Sequence, residues 1–392
     1  MPEPPILHAK RRLASIDILR GLAMILMTLD YVRGIFGIAP FEPESISQTS
    51  MWLFFTRWIS HLCAPVFVFL AGCSARLYEA KGRAKPELAR YLCSRGLWLV
   101  FLEIAVVNTS FLNYAYGNYV LLHALWALGW CMVLLAAMVW LPKRWIAVIA
   151  VFVIVGHHVL DPISAGNLGP WKLPFALLHE QNVFLISGRL FAIVMYPLFP
   201  WVGVMAAGYV IGELFFLDPE TRCRKLFRLG VLLTAAFAVL RVLNGYGDPN
   251  PWVHSNRGWI FTMLAFLNTT KYPASLMFLC MTLGPALMLL AWMEGCSGRA
   301  CRLLRVFGRT PLFYYLLQNL LIHLFAIVWT YSLFGRAPGW WAQGRMSWPS
   351  DYSPNPWWIY GIWLLVVFAL FPLCRWFGSV KDKRPNGWLS YL

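Results

Sequence analysis

Charge is what this chain has least of. Only 17 of its 392 residues are acidic, and charged residues make up 13%, about half the roughly 25% that covers a soluble domain. A fully water-facing surface is therefore excluded. None of the nine cysteines falls in a loop expected on the extracytoplasmic side, and Cys296 and Cys301 are expected as cytoplasmic thiols. No CxxC and no His/Cys ligand spacing occurs, so neither a disulfide framework nor a metal site is expected. His157-His158 is an adjacent pair, not the i, i+4 pair of a helical metal site. A serine elbow, a Walker-type phosphate loop, low-complexity tracts and short repeats are also missing. The lack of an inverted repeat counts against a secondary transporter.

What the chain does have is apolar sequence, 59% of it, arranged in stretches of the length that crosses a hydrocarbon core. Ten such stretches read as spans: 14–36, 53–78, 92–112, 119–141, 144–160, 190–216, 226–243, 272–294, 311–334 and 356–377. The first carries Asp17, Arg20, Asp30 and Arg33 and lacks a cleavage site, so it reads as a retained helix and not a signal peptide. Basic residues cluster before span one (Lys10, Arg11, Arg12) and after spans two, four, six, eight and ten. All of these fall on one side, which the positive-inside rule makes cytoplasmic, with both termini. The expected fold is an all-α polytopic transmembrane bundle forming a single domain over 1–392, with a basic tail at 1–12 and a second cytoplasmic tail at 378–392. The net charge of +16 is divided among short loops that suit lipid headgroups and offer no nucleic-acid fold. The opposite side carries the longer connections 37–52, 161–189, 244–271 and 335–355, rich in Trp, Pro and Asn, as interfacial loops are.

Against that background the polar residues inside spans stand out, because each is costly in lipid. Arg57 and His61 lie one helical turn apart in the run Trp52–Tyr78, on one helix face. Span one carries Asp17 with Arg20 and, at its outer end, Asp30 with Arg33. Span three carries Glu103 and Asn108, and span nine carries Gln318, Asn319 and His323. Read singly, the Asp/Arg pairs suit self-neutralising neighbours, the amides and Glu103 suit interhelical hydrogen bonds, and His323 suits a satisfied core histidine. Read together, His61, Arg57, Asp30, Glu103, Asn319 and His323 come from four helices that can converge on one cavity. An imidazole can take a proton, a carboxylate can orient it, and Arg and Asn can donate to an oxyanion, a set that suits acyl transfer to a hydroxyl or amine.

The segments Ser15-Ile16-Asp17-Ile18-Leu19-Arg20-Gly21-Leu22-Ala23 and Leu29-Asp30-Tyr31-Val32-Arg33 resemble the opening of the bacterial DUF1624 proteins, themselves similar to the catalytic region of heparan-alpha-glucosaminide N-acetyltransferase. The run Arg57-Trp58-Ile59-Ser60-His61-Leu62-Cys63-Ala64-Pro65 through Gly72 is the most specific match. Arg95-Gly96-Leu97-Trp98, Phe199-Pro200-Trp201-Val202-Gly203, Lys271-Tyr272-Pro273, Phe307-Gly308-Arg309-Thr310-Pro311 and Trp388-Leu389-Ser390-Tyr391-Leu392 agree. The resemblance implies a multi-pass acetyltransferase of the plasma (bacterial inner) membrane, taking acetyl from cytoplasmic acetyl-CoA to a glycan or glycolipid acceptor on the far side. It is compatible with a homodimer. In the lysosomal enzyme the catalytic histidine lies between the first two helices. The matching segment here, Gly34 to Ser60, has none, and Asp30 stands where that enzyme has an asparagine. The expected catalytic set is accordingly His61, Asp30, Arg57 and Asn319, with Arg33, Glu103, Gln318, His323 and Lys271 in a supporting polar cavity. Arg11, Arg12, Arg20 and Arg95 are expected at the CoA phosphates. The rival readings are a proton-coupled exporter using the same cluster and a membrane scaffold with a degenerate site.

Overall fold

The computed structural model describes residues 13–37, 41–110, 118–188, 190–335 and 355–383. The first helix, α1 (Ala14–Phe36), has Asp17 in its first turn and Arg33 in its last, each matching the sign of the helix dipole at its end. The next, α2 (Met51–Glu79), is continuous but tightens to a 3₁₀ turn at Ile59–Leu62. Pro65 explains the place: it has no N–H to give the carbonyl of His61, so the ladder must rearrange one turn before it. Then come α3 (Lys85–Ser110), with a π turn at Leu102–Val107, α4 (Ala124–Met138), α5 (Lys143–Leu160) and α6 (Lys172–Leu178).

The second half holds α7 (Leu198–Phe216), α8 (Pro219–Leu243), α9 (Trp259–Leu267), α10 (Leu276–Trp292), α11 (Arg299–Arg309), α12 (Pro311–Phe334) and α13 (Pro356–Lys383). Side-chain caps mark two of these starts. Asp218 Oδ1 accepts from the Thr221 N–H at 2.9 Å, and Ser275 Oγ accepts from the Phe278 N–H at 3.0 Å.

Seven helices, α2, α3, α5, α7, α8, α12 and α13, are long and apolar enough to cross a membrane, which makes this a multi-pass membrane protein. The remaining three expected spans differ for physical reasons. Helices α4 and α10 are apolar but shorter; fifteen residues rise about 22 Å, less than a core of about 30 Å. Helix α1 is long but carries four charges.

The expectation of an all-α chain needs a further correction. A three-stranded sheet in the order β1-β3-β2 is built from β1 (Tyr119–Leu122), β2 (Asn182–Ser187) and β3 (Leu190–Val194), with β1 parallel and β2 antiparallel to β3. Residues 119–122 and 190–194 were expected to open spans four and six. Short apolar runs of this kind carry no periodicity that separates strand from helix. Here Asn108 settles the local structure: its Nδ2 donates to the Leu121 carbonyl at 3.1 Å and its Oδ1 accepts from the Leu121 N–H at 2.7 Å. A second correction concerns Cys296 and Cys301, which form a disulfide across the turn leading into α11, with Cα atoms 6.2 Å apart.

Helices pair through small residues, as expected where lipid supplies no hydrophobic drive between them. Helix α3 packs on α4, α2 on α7, and α8 on α10. At the first contact Gly96 and Gly129 face each other so closely that a Cβ on either would meet the other's carbonyl oxygen at 2.5 or 2.4 Å. At the second, Gly72 and Gly208 let the backbones touch in the same way. These contacts fix the wall around the polar residues.

Candidate active site

Asp30 is the hub. The guanidinium of Arg33, three residues on, donates to Asp30 Oδ1 at 2.7 Å, and Arg57 of α2 donates to Oδ2 at 2.6 Å. Arg57 then reaches Glu44 in the connection between the two helices, Nε to Oε1 at 3.4 Å. The same Glu44 oxygen lies 2.6 Å from His61 Nε2. The result is a continuous chain, Arg33–Asp30–Arg57–Glu44–His61, across α1, the connection and α2. Burial alone would raise the pKa of Glu44, but Arg57 and then His61 hold its carboxyl down at about 2. The connection is itself held in place: Asn268 Nδ2 donates to the Glu44 carbonyl at 2.9 Å, and Arg257 donates to the carbonyls of Ile46 and Thr49 at 2.8 and 2.7 Å.

This network borders a cavity of about 880 Å³. Asp30, Arg33, Glu44, Arg57, Lys271 and His323 are in its wall, as are Tyr31, Tyr196, Tyr272 and His123. Tyr31 OH and Tyr315 OH are 3.1 Å apart, and Tyr272 OH donates to Tyr196 OH at 3.3 Å. His123 precedes the first residue of α4 and is wedged edge-on between two of these rings, 6.4 Å from Tyr31 and 5.0 Å from Tyr196 between centroids. Lys271 is 8% exposed, lies 5.2 Å from the Tyr272 ring centroid and has no carboxylate within 4 Å among the described residues. The cavity thus offers the carboxylates of Asp30, Glu42 and Glu44, an ammonium, tyrosine hydroxyls and two imidazoles.

Several expected site residues stand elsewhere. His61 is 1% exposed, packs edge-on against Phe278 at 5.3 Å and is not a wall residue; its carboxylate partner is Glu44 and not Asp30. Glu103 turns away to cap α4, its Oε2 accepting from the N–H groups of Leu125 and Trp126 at 2.8 and 3.3 Å. It thereby meets the unsatisfied amides of that helix start. Gln318 Oε1 accepts from Thr28, 2.6 Å away, inside the α1/α12 interface. Asn319 is fully buried beside Tyr315 and does not reach the wall. Its carbonyl accepts from His323 Nδ1 at 2.7 Å, and that imidazole does reach it.

Of the residues expected at CoA, Arg11 and Arg12 lie outside the described residues. Arg20 donates to Asp17 Oδ1, the Gly308 carbonyl and Ser74 Oγ at 3.4, 3.4 and 3.2 Å. Arg95 is half-buried on α3 and is not a wall residue. From Met27 in the wall to Arg20 is seven residues of α1, roughly 10 Å of helix.

Glu44 and His123 are the residues sequence reasoning passed over. The signal for Glu44 was its rarity, an acidic residue in a chain with 17. The signal for His123 was its position at the head of an apolar helix.

No match is found among curated proteins. The family model described as heparan-alpha-glucosaminide N-acetyltransferase, catalytic, matches residues 12–243. That is more than half of the chain, and it includes Asp30, Glu44, Arg57, His61, His123 and Tyr196; the remaining walls, from Asn250 to His323, lie beyond it. By this match the chain belongs to the heparan-alpha-glucosaminide N-acetyltransferase catalytic family, a family of membrane acetyltransferases.

Proposed function

We propose that the protein transfers acetyl from cytoplasmic acetyl-CoA to a hydroxyl or amine of an extracytoplasmic glycan or glycolipid, within the cavity beside Asp30. In this reading the whole chain is one domain in the inner membrane of a bacterium, crossing it ten times with both termini cytoplasmic. The asymmetry of basic loops supports the orientation. Family membership supports the reaction class. The observation that carries the reading is the cavity itself, a polar chamber with an imidazole, His123, and an ammonium, Lys271, in its wall.

The base is assigned to His123 in place of His61. A base must reach the proton it removes. His123 is in the cavity wall with its Nδ1 buried, which leaves Nε2 as the nitrogen for the proton, whereas the Nε2 of His61 is engaged by Glu44 and its Nδ1 is buried. His123 takes the proton of the acceptor as its oxygen or nitrogen bonds to the acetyl carbon. Lys271 stabilises the tetrahedral oxyanion, and the imidazolium returns its proton to the departing CoA thiolate. Asp30 with Arg33 and Arg57 shapes the wall, and His61 positions Glu44. The CoA thioester must pass the packed stretch of α1 between Arg20 and Met27, so donor entry requires movement there.

The test uses purified chain in lipid nanodiscs. Acetyl-CoA should raise the melting temperature, and radiolabel from its acetyl group should appear on a glucosamine-terminated oligosaccharide. Stabilisation without transfer to any of a panel of glycans and glycolipids would remove the enzymatic reading, and flux of a solute in the absence of acetyl-CoA would replace it with transport.

A further inference from the structure

A second cluster lies away from the cavity, at the end of α5. His157, His158 and His179 are all more than nine-tenths buried, and they surround the carboxylate of Asp161. The His157 ring is tilted against His158, 4.1 Å away, and meets His179 edge-on at 5.6 Å, between ring centroids. Three imidazoles and one carboxylate in a buried pocket exceed what packing needs, because each ring nitrogen taken from water requires a partner. The backbone of Ala274 lies beside His157, and neither nitrogen of that ring makes a hydrogen bond of good geometry.

The hydrogen bonds sort the four residues by role. The Leu276 N–H, in the first turn of α10, donates to His158 Nε2 at 3.0 Å. That nitrogen therefore holds the lone pair, and Nδ1 carries the proton, which it donates to Asp161 Oδ2 at 2.7 Å. His158 is thus occupied on both sides and aims the carboxylate. The other oxygen, Oδ1, faces His179 Nε2 at 3.2 Å. Two ligands of a tetrahedral zinc ion with bonds of about 2.0–2.1 Å stand about 3.3 Å apart, which is the spacing already present. The ligand atoms of His157, His158 and Asp161 lie within 4.8 Å of one another, and His179 joins them through Asp161 Oδ1, so the His157 ring must turn toward that carboxylate and His179 to complete a third arm.

We propose that His157, Asp161 and His179 bind a zinc-class divalent transition metal ion, with His158 as a positioning residue and solvent in the fourth place. The donor set of two imidazoles and one carboxylate selects this class: it has too few oxygens for calcium or magnesium and no thiolate for an iron–sulfur centre. The ion replaces the proton between His179 Nε2 and Asp161 Oδ1, and that proton leaves to solvent or to His179 Nδ1. By joining the end of α5, the connection carrying His179 and, through His158, the start of α10, it fastens three segments. This departs from the sequence expectation of no metal, since His179 is 21 residues beyond the adjacent pair's second member by number and only the fold unites them. It stands apart from the transferase reading because its readout is metal content.

The test is equilibrium dialysis of the full chain in detergent, stripped with EDTA and then exposed to micromolar Zn²⁺, with metal counted by mass spectrometry. The expected result is one ion per chain and a melting temperature several degrees higher with Zn²⁺ than without. His157→Ala and the milder His179→Gln should each lose the ion and the rise. His158→Ala should weaken binding by roughly 10- to 100-fold without abolishing it, as removal of a supporting hydrogen bond does. Wild-type chain without stoichiometric zinc would overturn the proposal, and so would a folded His179→Gln chain, verified by circular dichroism, that keeps wild-type zinc content.

Discussion

Helix α1 carries the same arrangement twice, Asp17 with Arg20 and Asp30 with Arg33, both at i, i+3. The first pair is sealed into packing. Arg20 also reaches Ser74 and the Gly308 carbonyl, and α11 comes so near that a Cβ on Gly308 would fall 1.7 Å from the Asp17 carbonyl oxygen. The second pair opens on a cavity and gains a second guanidinium, Arg57, which links it to Glu44 and His61. Identical local spacing thus yields a structural latch at one end and the hub of a chamber at the other. The difference comes from what the neighbouring helices leave between them: two backbones in contact, or about 880 Å³ of space.

Removing each carboxylate should expose this contrast most strongly. Asp30→Ala leaves Arg33 and Arg57 in place without their shared partner, which costs about 3–5 kcal/mol in buried settings, and transfer should fall to background. Asp17→Ala should cost about 1 kcal/mol, because Arg20 keeps two other acceptors, and it should leave most of the turnover. Denaturation in detergent alongside label transfer checks both, and equal losses would break the distinction.

The next effect concerns the two histidines near the hub. His123→Ala should lower turnover by roughly 10²–10⁴-fold, the usual share of a general base, with little change in melting. His61→Ala should do the reverse, costing about 1–3 kcal/mol through the uncovered Glu44 and lowering turnover far less.

The smallest effect is a pH dependence. Glu44 is held at about 2 in the folded chain against an ordinary 4.5, so it adds stability above pH 4.5 that disappears as pH falls through about 2. The melting difference between wild type and Glu44→Gln should be constant above pH 4.5 and shrink below it. A difference that instead changes between pH 5 and 8 would mean that Glu44 is not held by Arg57.

Much of the helical skeleton and the placing of Asp30 and Arg57 together at one cavity could be read from the chain, because a charge inside an apolar run is conspicuous and its cost in lipid is large. Glu44 was hidden because an acidic residue in a connecting loop looks solvated until Asn268 and Arg257 are seen to fold that loop inward. His123 was hidden because its value depends on Tyr31 and Tyr196, which arrive from other elements. Glu103 was placed in the cavity on its depth, yet the open amides of α4 claimed it. The sheet escaped notice because Tyr119–Leu122 is as apolar as any helix here, and only the pairing with Leu190–Val194 makes it a strand.

Acetyl transfer in the chamber beside Asp30, with His123 as its base, can be tested directly. The direct measurement is single-turnover release of CoA thiol from acetyl-CoA by nanodisc-embedded wild type, His123→Ala and His61→Ala, each with an acceptor glycan at saturation. Wild type should release thiol, His123→Ala should lose at least about 10²-fold, and folded His61→Ala should lose clearly less. Undiminished release by His123→Ala, with the loss falling on His61→Ala, would contradict the assignment of His123 as the base.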